Sequence, residues 1–155
     1  MNYILLLLAT IFLYPSSAKA IPMVDIIVVY KHQRVMEIYG EGKLIKKWPI
    51  SLGFSPRGHK IIQGDGRTPE GFYKIGYKNS NSRFYLSLGL NYPRPVDQQR
   101  ADALDIEAGG HIMIHGQGNS PRKGDWTEGC IALNNQQIAE LWPMVAEGTA
   151  VMIFP

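Results

Sequence analysis

The chain has 155 residues, 45% hydrophobic and 19% charged, which suits one globular domain and excludes a disordered chain. Its formal net charge of +3 comes from scattered side chains without a Lys/Arg block, which argues against a nucleic-acid-binding protein. The 16 glycines and 10 prolines favour short strands joined by turns over a helical protein.

The first 20 residues have the pattern of a targeting segment. An apolar run at residues 4–14 precedes Ala18 and Ala20, which form a small-x-small cleavage site. The run is shorter than the roughly 20 residues that span a bilayer. We predict a cleaved signal peptide over residues 1–20 and a mature domain over residues 21–155 in the periplasm or cell envelope. An uncleaved anchor is the alternative, because no Lys or Arg precedes the apolar run.

Alternation of apolar and polar residues predicts a mainly β domain after the signal segment. Glu41 and Gly42 separate two strand-like runs within residues 34–53 and predict a hairpin turn. The other predicted strands are residues 24–31, 69–78, 84–90, 111–116 and 149–154.

Two segments have the spacing of short helices. Residues 97–108 place small and apolar side chains on one face, with Asp97 as the predicted N-cap and Gly109 as the stop. Residues 135–142 form the second predicted helix, with Asn134 as its N-cap, and a following proline ends or kinks it.

Cys130 is the only cysteine, so it cannot form an internal disulfide. His115 ends a predicted strand in which Ile112 and Ile114 point into the core, so His115 should face away from the core. The polar, turn-forming residues 116–129 could loop back and place Cys130 beside His115. A neighbouring imidazole can take the thiol proton and leave a strong nucleophile.

Each of these residues also has a purely structural interpretation. Cys130 could be a small buried apolar residue, and His115 could be a structural histidine. Zinc bound by His111, His115 and Cys130 is a third alternative, but no H-x-x-x-H helix or C-x-x-C pair supports it. The residues alone leave the first two alternatives open.

Several separated motifs resemble the L,D-transpeptidase catalytic domain, the YkuD-type fold. The resemblance covers nearly all of residues 21–155 and implies a β-sandwich or flattened barrel with two short helices. The DWTxGCIA form of the motif resembles a small single-domain subgroup. The matching segments are HIMIHG (111–116), TEGCIALN (127–134), SLGFSPRGHK (51–60), GDGRTPEGFYKI (64–75), SLGLNYP (87–93) and the closing GTAVMIFP.

The resemblance implies a role for each matching residue. Cys130 would be the nucleophile, His115 the general base, and the Gly116 carbonyl the group that orients it, while Thr127 and Gly129 shape the loop and the oxyanion site. The substrate would be a peptidoglycan stem peptide, typically cleaved after meso-diaminopimelate, with no cofactor and no metal. An amine would resolve the acyl-enzyme by transpeptidation, joining stem peptides or attaching a protein to the wall.

Two other functions stay open. One is hydrolysis of such bonds, as a carboxypeptidase or an amidase that detaches a wall-linked protein. The other is non-catalytic binding of peptidoglycan. Two departures from the family motif motivate them: Glu128 replaces a second histidine, and Ala132 replaces an arginine that could hold a substrate carboxylate. Arg57 and Arg67 are the candidate substitutes for that arginine.

Overall fold

The computed structural model describes residues 20–155, so the predicted signal peptide, apart from Ala20, lies outside the described residues. Within the described range, no helix combines the length and hydrophobicity needed to cross a membrane.

The described residues form a mainly β domain with two short α-helices, as predicted. A β-rich result follows from the many alternating segments, each too short and too interrupted by turns for a long helix. In chain order the elements are β1 (Ile26–Tyr30), β2 (Val35–Gly40), β3 (Lys43–Pro49), β4 (Gly71–Ser82), β5 (Tyr85–Leu90), α1 (Pro95–Asp102), β6 (Met113–His115), β7 (Ile131–Ala132), α2 (Asn135–Leu141), a 3-10 turn (Trp142–Met144) and β8 (Ala150–Phe154).

The strands form one curled sheet in the order β3-β2-β1-β8-β4-β5-β6-β7. The pairs β1–β8 and β6–β7 are parallel and the others are antiparallel. The chain after β3 bridges to β7 at the far edge, where Ser51 and Ala132 exchange backbone hydrogen bonds of 2.9 and 2.8 Å. This contact draws the two edges together, so the predicted sandwich or flattened barrel is confirmed.

The core fills the inside of the curl. In β1, Ile27 and Val29 are fully buried while their neighbours are partly exposed, because successive side chains point to opposite faces. The hairpin predicted at Glu41 and Gly42 is confirmed, since both residues adopt the positive φ that a tight turn between β2 and β3 needs.

The predicted bounds of α1 are wrong. The helix begins at Pro95, whose fixed φ suits a first helical position, and Asp97 accepts the Arg94 backbone N–H from its third position. It ends at Asp102 because the chain turns away, with Asp105 at φ 53°. Leu104, which the predicted helix would place on its apolar face, lies beyond the end of the helix and is 60% exposed. The prediction for α2 is confirmed: Asn134 is its N-cap and accepts the Gln137 backbone N–H.

Candidate active site

Cys130 and His115 line the same groove, which has a volume of about 1170 Å³ and extends from the loop after β6 to the end of α1. The loop after β6 returns so that β7 runs parallel to β6, with Ile114 beside Ile131 and His115 beside Ala132. The paired isoleucines are buried in the core. Alternation along the two strands therefore places His115 and Cys130 together on the opposite face, toward the groove.

The imidazole of His115 is held in one tautomer. Its Nδ1 lies 2.6 Å from the Gly116 carbonyl oxygen. A carbonyl can only accept, so Nδ1 carries the proton and donates it, and Nε2 of the neutral ring is left as an acceptor. Gly116 fits here because a Cβ would come within 2.7 Å of the Phe84 carbonyl and of Asn135 Oδ1.

The sequence predicts that His115 faces away from the core, and the structure places it in the groove but buries it beneath two aromatic rings. The Phe84 ring stacks on the imidazole, with 4.4 Å between the ring centres. The Trp126 ring meets the imidazole edge to face, with 5.7 Å between the ring centres. These rings cover His115 and leave it 2% exposed. Burial lowers the pKa of His115, the hydrogen bond to Gly116 partly opposes this, and the charge of Arg83 lowers it further. The ring is therefore neutral near pH 7.

Cys130 is partly exposed, and its thiol donates to the His111 carbonyl at 3.4 Å. Burial of the sulfur is the main reason that the pKa of Cys130 is raised. A hydrogen bond from the Met113 backbone lowers this pKa, and the carboxylate of Glu128 raises it again. Both shifts favour a neutral thiol and a neutral imidazole over an ion pair.

A tight turn at residues 127–130 presents the thiol. The buried Thr127 hydroxyl donates to the Cys130 carbonyl at 2.7 Å and accepts the Gly129 N–H at 3.1 Å. Gly129 has φ 122°, and a Cβ there would lie 2.5 Å from the Arg67 carbonyl oxygen. The turn therefore requires glycine. Its N–H donates to the Thr127 hydroxyl.

Asp125 anchors the loop that precedes Cys130, through contacts with the sheet. Its carboxylate accepts hydrogen bonds from Arg34 Nε and Nη2, the latter at 2.8 Å, and from the Leu52 backbone N–H at 3.0 Å. Sequence reasoning missed this contact. Asp125 stands two residues before Thr127 in the quoted motif, but Arg34 is 91 residues away in the chain.

The structure shows which arginines lie near enough to the groove to replace the arginine missing at Ala132. Arg57 and Arg67 do not line the groove, whereas Arg83 and Arg122 do. Ala132 is buried in β7, and the exposed Glu128 lies on the groove wall.

The alternative of a zinc site finds no support in the geometry. Within the described part of the chain, no three His, Cys, Asp or Glu side chains cluster as metal ligands do.

The structure defines the class of domain: a curled, mainly antiparallel sheet with a cysteine and a histidine on one groove. Comparison with known families identifies the family within this class. The model of the L,D-transpeptidase catalytic domain (YkuD) matches residues 24–153. The chain belongs to this family, as the sequence motifs predict.

Individual relatives agree with this assignment. YafK of Escherichia coli K12, provisionally described as an L,D-transpeptidase, is 31% identical over 134 residues, covering 83% of this chain and 48% of that protein. The crystal structure of the helical cell shape determining protein Pgp2 from Campylobacter jejuni has a TM-score of 0.68 and 28% identity, covering 84% of this chain and 47% of Pgp2.

A more distant structure supports the fold alone. An Enterococcus faecium L,D-transpeptidase (C442S mutant) has a TM-score of 0.58 at 19% identity, covering 86% of this chain and 50% of that one. This chain spans about half the length of the relatives named here.

Proposed function

We propose that this protein is an exported cysteine enzyme that acts on peptidoglycan stem peptides through an acyl-enzyme on Cys130, with L,D-transpeptidation as its reaction. The observation that carries the proposal is the 2.6 Å contact between His115 Nδ1 and the Gly116 carbonyl, on the groove that Cys130 also lines. This contact leaves Nε2 as the ring nitrogen that could take a proton. Membership of the L,D-transpeptidase family supports the substrate class.

The proposed reaction begins with the thiol proton. In the resting state this proton is directed at the His111 carbonyl. In the proposed mechanism, rotation about the Cβ–Sγ bond would redirect it toward His115. Because the pKa of the thiol is raised and that of the imidazole is lowered, a standing thiolate is disfavoured. Proton transfer would therefore accompany attack of Sγ on the substrate carbonyl carbon.

The remaining steps use the same groups. The tetrahedral intermediate collapses when His115 gives its proton to the leaving amine, which leaves an acyl thioester on Cys130. An incoming amine then attacks the thioester in transpeptidation, and water attacks it in hydrolysis. Since Gly129 N–H is bound to Thr127, the backbone N–H of Cys130 is the proposed oxyanion donor of this turn.

The environment proposed for this reaction is the periplasm or cell envelope. The motive is the apolar run at residues 4–14 before Ala18 and Ala20. The expected mature protein begins at Ile21 and binds peptidoglycan, with a wall-linked protein as a further substrate. N-terminal sequencing of protein recovered from the cell envelope should start at Ile21. Recovery of a full-length, cytoplasmic chain would contradict export.

Intact-protein mass spectrometry with defined muropeptides tests the mechanism. Wild-type protein should gain the mass of an acyl group, and Cys130→Ala should not. The released fragments then distinguish cross-linked products from hydrolysed ones. Turnover by Cys130→Ala at the wild-type rate would contradict the cysteine mechanism. Binding to sacculi without adduct or product would support a non-catalytic binding protein, which Glu128 motivates because its charge disfavours the thiolate.

A further inference from the structure

Two arginines stand at the end of the groove beside His115. The guanidinium carbon of Arg83 lies 4.8 Å from the centre of the Phe84 ring, and that of Arg122 lies 4.6 Å from the Trp126 ring. Phe84 and Trp126 are the two rings that cover His115. Each cation is thus positioned on an aromatic ring that also fixes the base.

These guanidinium groups have no protein anion as partner. Arg34 and Arg94 form salt bridges with Asp125 and Asp97, but neither Arg83 nor Arg122 forms one within residues 20–155. Stacking on a ring leaves the N–H edges of a guanidinium available. Two positioned cations without a carboxylate partner are suited to bind an anion from outside the protein.

Both arginines also border a smaller hollow of about 340 Å³ that adjoins the groove. Asn119 and Ser120 supply further polar groups there. The other charged side chains that line the groove are the carboxylates of Asp102, Glu107 and Glu128 and the ammonium of Lys60, which is paired with Asp65. An anionic group on a bound ligand would therefore favour the arginine end, next to His115.

The chemistry at His115 specifies which anion would sit there. In the proposed reaction His115 protonates the amine that leaves and deprotonates the amine that attacks, so these amines must lie beside it. When the amine belongs to a D-amino acid or to the side-chain end of meso-diaminopimelate, a carboxylate is attached one carbon away. An amine on a protein lysine side chain has no carboxylate at that distance.

We propose that Arg83 and Arg122 form a carboxylate clasp for the α-amino carboxylate whose amine leaves or attacks at His115. The clasp rests on the proposed function. It supplies the positive charge that is missing from the family motif at Ala132, and it favours leaving groups and acceptors that carry a free α-carboxylate over amidated ones.

The first test measures the thiol and not the enzymatic reaction. The rate of Cys130 alkylation is measured with two reagents: iodoacetate, which carries a carboxylate, and iodoacetamide, which is neutral. Arg83→Gln and Arg122→Gln should each lower the iodoacetate-to-iodoacetamide rate ratio by about threefold or more, as expected for the loss of a nearby positive charge. The control Arg57→Gln removes the same charge from an exposed site off the groove and should leave the ratio unchanged. An unchanged ratio in both variants, or an equal fall in the control, would overturn the clasp.

The second test uses two disaccharide tetrapeptides that differ only at the last residue, D-alanine or D-alanine amide. The wild type should prefer the free carboxylate. Arg83→Gln and Arg122→Gln should raise KM for the acid about tenfold, in the range of a lost charge-assisted hydrogen bond, and should lower the acid-to-amide ratio of kcat/KM by a similar factor.

The results separate the two proposals. Equal turnover of acid and amide by the wild type would overturn the clasp and leave the proposed function standing. No turnover of either peptide, together with carboxylate-selective alkylation that depends on both arginines, would support an anion clasp and count against the proposed function.

Discussion

Two residues of one short turn, Thr127 and Gly129, set the environment of Cys130. Gly129 supplies a backbone conformation that side chains rarely adopt, and Thr127 closes the turn through two hydrogen bonds. Since the turn is buried on one side and faces the groove on the other, small changes in it should move the thiol. Substitutions at Gly129 and Thr127 should therefore change both stability and the reactivity of the thiol.

Gly129→Ala should destabilise the protein by about 3 kcal/mol, because the new Cβ combines positive-φ strain with a 2.5 Å approach to the Arg67 carbonyl. Gly124→Ala is the matched control, with φ 70° but nothing within 4 Å of the new Cβ. It should cost only about 1 kcal/mol. Denaturant unfolding measures both. Similar losses in the two variants would show that backbone strain alone, and not the contact with Arg67, makes glycine necessary at position 129.

Thr127→Val should cost about 2 kcal/mol, since it removes the buried hydroxyl and leaves the Gly129 N–H without a partner. Thr127→Ser keeps the hydroxyl and should lose less than half as much. The rate of iodoacetamide alkylation of Cys130 should also change in the valine variant and stay near the wild-type rate in the serine variant. If serine and valine behave alike, the methyl group rather than the hydroxyl is what Thr127 contributes.

The loop between β6 and β7 is held at both ends by contacts with other elements. Asn135 at the start of α2 accepts the backbone N–H groups of Gln117 and Gly118 near the beginning of the loop. Asp125 binds Arg34 near its end. A loop held in this way can be long and polar and still present Cys130 to the groove in one orientation.

Asp125→Ala should cost about 2 kcal/mol, because it leaves the Leu52 N–H and the Arg34 guanidinium without their acceptor. Glu140→Ala breaks the exposed ion pair with Lys46 and should cost less than about 0.5 kcal/mol. Thermal unfolding compares the two. Muropeptide turnover should fall in Asp125→Ala at a temperature where the variant is fully folded, whereas Glu140→Ala should keep its activity. A fully active Asp125→Ala variant would show that the loop does not need this anchor.

Across the whole molecule, local patterns predicted most of the sheet but not its closure. Alternation located the long strands, and the turn residues Glu41 and Gly42 located the hairpin. The two-residue strand β7 was missed because it carries no periodic signal of its own. It exists because Ala132 pairs on both sides, with His115 and with Ser51.

The site residues also fall into those that the sequence predicts and those that only the fold reveals. Cys130, His115 and Thr127 belong to segments with recognisable motifs, so the sequence alone is enough to identify them as candidates. Phe84 and Arg34 carry no such signal, because each reaches the site through a contact that depends on the folded sheet. The burial of His115 follows from Phe84 and was missed for that reason.

Burial of His115 should also shape the pH dependence of folding for the whole molecule. Its pKa is lowered in the folded state, so the unfolded chain takes up a proton near pH 6.5 that the folded protein does not. The unfolded state then binds more protons, and the free energy of unfolding must fall as pH decreases from about 7 toward the folded pKa. The burial of His59 lowers its pKa and acts in the same direction. Denaturant unfolding between pH 5 and 7.5 should show this slope in the wild type, and His115→Phe should reduce it while His59 keeps the remainder. An identical slope in His115→Phe would show that His115 is protonated as readily in the folded protein as in the unfolded chain, which would contradict a neutral base at rest.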